Sequence, residues 1–301
     1  MAYWVRAGGF PHNAPMYRTL ISAQALQTLT SAATAPLIFD CSFELLDPAA
    51  GPQQYRQAHI AGARYAHLEH ALSAHADQLR ESGGRHPLPS RETFAAWLVS
   101  NGLHKDQQVV VYDRQGANYC GRLWWMLKWC GHEAVAVLDG GLQAWQAAGG
   151  PVENGDAAPP FSTGNFELRP ACTPVCSTDE LARRLGSPAQ TVLDARAAAR
   201  FRGETEPLDP VAGHIPGALN RPFADNLGPD GRFKSPAQLR TEFESLLAGR
   251  DPASVVHHCG SGVSAIPNLL AMEVAGLGRA ALYPGSWSEW CNTPGMPCAR
   301  T

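Results

Sequence analysis

Short apolar runs rich in β-branched residues alternate along this chain with segments whose apolar positions recur at helical spacing. The runs lie at 36–40, 108–113, 134–139, 190–194, 254–258 and 279–283, and each predicts a strand. Between them, Ser90 precedes Phe94, Trp97 and Leu98, with Gly102 as a stop. Ser235 and Pro236 likewise precede Leu239, Phe243, Leu246 and Leu247, with Gly249 as a stop. Each reads as a helix with a hydroxyl N-cap, its apolar stripe turned to the core. The segment CGRLWWMLKWC has the same character, and its paired Trp124 and Trp125 read as packing. Strands alternating with helices predict an α/β fold on mostly parallel sheets.

The pattern occurs twice. LIFD ending at Asp40 recurs as TVLD ending at Asp194, and AHIAGA around His59 as GHIPGA around His214. VVVYD ending at Asp113 recurs as VVHHC ending at Cys259, and DGGLQAW around Gly140 as PGSWSEW around Gly285. The offsets are 154, 155, 146 and 145 residues, so one length change, between His59 and Asp113, separates two copies of a unit. Gly, Pro and small polar residues crowd the stretch between the copies, as in an inter-domain linker. The expected division is an N-terminal unit at 1–150, a linker at 151–174 and a C-terminal unit at 175–301. His59 and His214, in matching turns, are expected to be structural, bonded to backbone.

Composition narrows the functional classes. With 301 residues, 45% hydrophobic and 17% charged, the chain can bury two cores. Twenty-four Lys and Arg against 27 Asp and Glu leave a net charge of −3, which gives no footprint for nucleic acid or an anionic membrane. The opening MAYWVRAGGFPHN has no leader pattern, and no run approaches the roughly 18 apolar residues of a membrane span, so a soluble cytoplasmic protein is expected. Eight irregularly spaced cysteines read as reduced thiols. Cys172 and Cys176 lack a second pair to complete a zinc site, and no Cys or carboxylate frames His67, His70 and His75 at ligand spacing. Neither a metal nor a cofactor is expected.

The candidate chemistry lies where the run SVVHH meets CGSGVSA and then the helical segment NLLAMEVAG. Cys259 thus sits at a strand end just before a helix N-terminus, on the side of a parallel sheet where ligands bind. The two glycines and two serines let the backbone wrap the sulfur and point N–H groups inward, an arrangement that favours a thiolate. Pro267 falls early enough in the helix to need no hydrogen bond. A merely buried thiol needs no such loop. The phosphatase pattern HCxxGxxR matches at His258, Cys259 and Gly262 but fails at Ala265, which stands in place of the phosphate-gripping Arg. A dyad with His257 or His258 is disfavoured because neighbours on a strand face opposite ways.

On CGSGVSA at 259–265, GHIPGA at 213–218, DARAAARFRG at 194–203 and YPGSWSEW at 283–290, the chain resembles the two-domain rhodanese family of sulfurtransferases over nearly its whole length. The loop is similar to the CGSGVT of mercaptopyruvate sulfurtransferases, with Ser264 for Thr, rather than to the CRKGVT of thiosulfate sulfurtransferases. The resemblance implies two tandem rhodanese-like domains. Only the second would be catalytic, because Asp113 occupies the Cys position of the first. It implies that Cys259 takes a sulfur atom from mercaptopyruvate or thiosulfate as a persulfide and passes it to a thiol, cyanide or thioredoxin. A sulfur-carrier or protein-binding module without fast turnover is the reading from another class. By family position Arg200 would hold the donor's anionic end, and Gly260, Gly262, Val263, Ser264 and Ala265 would line the site. Ser261, His86 and Glu69 would form a proton relay. The second Arg usual between RFRG and GHIPG is absent from ETEPLDPVA at 204–212, so one carboxylate clamp is expected to be missing and the donor KM weakened.

Overall fold

The computed structural model describes residues 16–32, 35–156 and 162–301; the opening stretch read above for a leader lies outside them. Its strands are β1 (Leu20–Ile21), β2 (Leu37–Asp40), β3 (His59–Ile60), β4 (Arg64–Tyr65), β5 (Val109–Tyr112), β6 (Val135–Leu138), β7 (Val152–Glu153), β8 (Thr191–Asp194), β9 (Leu219–Asn220), β10 (Val255–His258) and β11 (Ala281–Leu282). Five of them form one sheet in the order β1-β6-β5-β2-β4, and four form another in the order β11-β10-β8-β9. All neighbours in both sheets run parallel. The orders correspond strand for strand, and Val175, bridged in parallel to Leu282, stands where β1 stands in the first sheet. The repeat in the sequence is therefore a repeat in the fold. All six expected strands form, and five of them are buried at every position, because helices cover both faces of each sheet. Of the two-residue strands, β11 lies within an expected run, whereas β1, β3, β4, β7 and β9 are too short to show a pattern.

Both expected N-caps are made: the Ser90 hydroxyl accepts from Thr93 N–H on the helix Arg91–Ser100, and Ser235 from Gln238 N–H on Pro236–Leu247. Each helix ends two residues before its glycine, and in the second Ala248 itself takes a φ of 48°. The helix Cys120–Trp129 is buried at all ten positions, Trp124 and Trp125 included. It is apolar all round because it lies against its sheet and against Ile266–Val274, the equivalent helix of the second half. A Cβ on Gly121 would stand 3.2 Å from the Ile266 side chain. Ion pairs brace this seam. Lys128 Nζ meets Glu273 at 2.6 Å and lies 4.1 Å over the Trp124 ring, and Arg279 meets both Glu133 oxygens at 2.6 and 2.7 Å. The stretch expected to link the halves is tied down where it is described. β7 pairs antiparallel with β3, and Phe166 enters the core.

His59 Nδ1 lies 2.9 Å from the Tyr55 carbonyl and His214 Nδ1 lies 2.8 Å from that of Phe201. Each ring stacks at 3.9 Å on the same aromatic residue. In both halves the histidine pins its turn to the helix before it.

Candidate active site

β10 ends at His258, in register with Asp194 of β8, and Cys259 follows at 2% exposure. The loop after it turns sharply into the helix Ile266–Val274. Gly262 makes this possible, with a φ of 73° and a position where a Cβ would stand 2.2 Å from the Pro284 carbonyl. Ser286, within the YPGSWSEW segment, braces the outside: its Oγ accepts from Cys259 N–H at 3.1 Å and donates to the Tyr283 carbonyl at 3.0 Å. Trp287 and Ser288 N–H groups donate to the Cys259 and Gly260 carbonyls at 3.0 and 2.9 Å. With those carbonyls engaged from outside, the N–H groups of Ser261, Val263 and Ala265 have no acceptor among the described residues.

The same loop in the first half shows what such N–H groups bind. Asp113 Oδ1 accepts from Gln115 and Ala117 N–H at 3.0 Å each, and its Oδ2 accepts from Tyr119 and Cys120 N–H at 2.8 and 2.9 Å. Displaced by the repeat, these donors are Ser261, Val263, Ala265 and Ile266. The first copy thus fills its anion cradle with its own carboxylate, whereas the second leaves three equivalent donors in the Cys259 loop without an acceptor among the described residues. Burial pushes the Asp113 carboxyl up while the four N–H groups pull it down.

His86 reaches this loop from the other half, its Nδ1 2.8 Å from Ser261 Oγ. Burial above all, then the Arg122 and Arg85 charges, pushes His86 down to about 3, so the ring is neutral at any working pH. Glu69 does not join this pair. It lies in the helix Leu68–Ala71, its N–H donates to His67, and no hydrogen bond connects it to His86 among the described residues. The groups that act electrostatically on His86 are cations, and of the three residues expected in a relay the structure brings together Ser261 and His86. Gly260, Gly262, Val263 and Ala265 are buried in the loop, and Ser264 is half-buried.

Two guanidiniums stand over the residue after Cys259. A Cβ on Gly260 would lie 2.9 Å from Arg85 Nη2 and 3.5 Å from Arg200 Nη1. Arg200 donates to Glu206 at 2.6 Å, and Arg85 pairs with Asp209, which also lies 3.4 Å from Arg200. No arginine lies between RFRG and GHIPG, as expected, but one from elsewhere in the chain stands beside Arg200. The acidic residues of ETEPLDPVA hold Arg200 and draw in Arg85 from the other half, so a second arginine is present. Burial pushes Asp209 up, and Glu206 beside it adds to the effect against the pull of Arg85. Sequence reasoning missed Arg85, Glu206, Asp209 and Ser286. The available signals were Arg85 beside His86 and the repeat containing Ser286.

Among the described residues no group of three or more His, Cys, Asp or Glu is placed to hold a metal ion. The rings of His67, His70 and His75 pack on one another, with centroids 4.3 and 5.6 Å apart. No helix among the described residues is long and apolar enough to cross a membrane.

A tandem α/β repeat with one thiol-bearing and one carboxylate-filled copy of a loop defines a class of its own. The profile of the rhodanese-like domain matches residues 22–148 and 177–293. A Pseudomonas aeruginosa protein named "Probable 3-mercaptopyruvate sulfurtransferase" is 46% identical over 284 residues, 92% of this chain and 98% of that protein. A Mycobacterium tuberculosis protein provisionally named a thiosulfate sulfurtransferase is 40% identical over 295 residues, 94% of this chain and 97% of that one. The 3-mercaptopyruvate sulfurtransferase of Leishmania major superposes with a TM-score of 0.80 at 30% identity, over 94% of this chain and 78% of its own. The chain belongs to the rhodanese-like family, as a two-domain member whose named relatives are sulfurtransferases.

Proposed function

We propose that this enzyme takes a sulfur atom from 3-mercaptopyruvate, holds it on Cys259 as a persulfide and gives it to a thiophilic acceptor, a thiol or cyanide. The Cys259 thiolate attacks the donor sulfur and the carbon–sulfur bond breaks. Its electron pair passes to carbon as the enolate of pyruvate, and the proton of the donor thiol ends on that carbon. Ser261 and neutral His86 are the groups that can carry this proton. The terminal persulfide sulfur is an anion, matched by the N–H groups of Ser261, Val263 and Ala265. Arg85 and Arg200 take the donor carboxylate. The acceptor then attacks the outer sulfur, the sulfur–sulfur bond breaks and the Cys259 thiolate returns.

The observation that carries this reading is the 2.8 Å contact between Ser261 Oγ and His86 beside Cys259, because only a thiol donor needs a proton moved. Thiosulfate is the second reading. Two guanidiniums suit a dianion, and the M. tuberculosis relative is named for it. Both donors are therefore expected to turn over, with mercaptopyruvate preferred. Ser261→Ala separates the two: kcat/KM for mercaptopyruvate should fall by about a hundredfold or more, while that for thiosulfate changes by less than about threefold. Equal losses, or a clear wild-type preference for thiosulfate, would sink the mercaptopyruvate assignment.

A further inference from the structure

Besides His86 and Arg85, the first half of the molecule sends a third side chain toward the Cys259 loop. Arg122, on the helix Cys120–Trp129, is completely buried. Its three hydrogen bonds all go to carbonyl oxygens. Nη2 donates to His86 at 2.9 Å, Nη1 to Gly262 at 3.0 Å and Nε to Leu72 at 3.3 Å. One planar group thus ties the backbone of the relay histidine to the Cys259 loop.

The charge on this group is uncompensated. The other guanidiniums around Cys259 have carboxylate partners: Arg85 with Asp209, Arg200 with Glu206, Arg196 with Asp194. Arg122 makes no ion pair among the described residues. Burial lowers it to about 10, which leaves it a cation at neutral pH, and the single anion that favours its charge is Cys259. A buried cation bonded only to neutral carbonyls is unfavourable unless a negative charge forms nearby. In the sulfurtransferase cycle that charge is present on Cys259, first as the thiolate and then as the persulfide.

We propose that Arg122 is a positioning residue for sulfur transfer: it holds His86 and the Cys259 loop in one frame across the domain seam and supplies the buried positive charge that the thiolate and persulfide face. The proposal rests on the sulfurtransferase reading. It adds to His86 and Arg85 a third contribution of the first half, one that acts through the backbone of both halves. Because all three hydrogen bonds of Arg122 go to backbone carbonyls, which leaves no N–H aimed at a donor, its removal should lower kcat and leave KM in place.

Arg122→Met removes the charge and the three bonds at similar volume, and Arg122→Lys keeps the charge but cannot span three carbonyls. In the full chain, kcat with mercaptopyruvate should fall by about a hundredfold in R122M and about tenfold in R122K, with KM within about twofold of wild type in both. Alkylation of Cys259 by iodoacetamide at neutral pH, followed by peptide mass spectrometry, should slow about tenfold in R122M and stay within about threefold in R122K. Wild-type kcat in R122K would overturn the proposal, as would wild-type Cys259 alkylation in folded R122M or a rise in KM at constant kcat. If R122M does not fold, R122K decides alone on its kcat and KM. A Cys259→Ser control keeps the two levels apart, since sulfur transfer surviving there contradicts the sulfurtransferase reading, whatever the Arg122 variants do.

Discussion

At Gly260 the absence of a side chain leaves room for Arg85 and Arg200, one from each half of the molecule. If they share the donor's negative charge, Arg85→Ala should raise the KM for either donor about tenfold or more through loss of a charge-assisted contact of ~1.5 to 3 kcal/mol. Steady-state kinetics check this, and an unchanged KM would remove Arg85 from donor binding. Asp113 makes a different demand. Asp113→Ala strips the acceptor from four backbone N–H groups, so urea unfolding should show a loss of about 3 kcal/mol or more while Cys259 still accepts sulfur. Near-wild-type stability would mean that the carboxylate is not what closes the first cradle. Cys259, Ser261, Arg200 and His86 could be singled out in the sequence because each lies in a short segment that resembles the family, and the structure brings them to one loop. Arg85 could not be singled out, because its partner Asp209 lies 124 residues away and the two meet only after the halves dock.

The elements show the same division between local and distant causes. Buried four-residue strands and hydroxyl-capped helices could be read from the chain, since apolar runs and caps are local signals. The order of strands could not be read from the chain, and the two-residue strands β1, β3, β4, β7 and β9, which carry no apolar run of their own, show only in their pairing with neighbours. The loop after β10 offers a test of how far its shape matters. Gly249 and Gly262 both have positive φ, but a Cβ meets nothing within 4 Å at Gly249 and the Pro284 carbonyl at 2.2 Å at Gly262. Gly249→Ala should therefore lose about 1 kcal/mol and keep full activity. Gly262→Ala should lose more than that and also depress kcat, because the backbone must move beside Cys259. Equal stability losses and equal activities in the two variants would show that the loop tolerates displacement.

At the scale of the whole molecule, folding buries groups that prefer water when charged. Burial pushes His86 and His257 down to about 3 from the ordinary 6.5. Between those limits the unfolded chain takes up protons that the folded chain refuses, so stability is complete above about 6.5 and falls as pH drops toward 3. Each histidine should account for a loss on the order of 2 kcal/mol by pH 5. Urea midpoints at pH 7.5, 6 and 5 measure it, and a flat profile would contradict the burial of these rings. The division of labour between the halves rests on one point, that sulfur rides on Cys259 and nowhere else. Mass spectrometry of peptides from donor-treated protein tests it most directly. The account predicts one added sulfur atom, on the peptide containing Cys259, removed by cyanide and absent from Cys259→Ser. A stable label on Cys120 or Cys130 in the first half, or sulfur transfer persisting in Cys259→Ser, would contradict it.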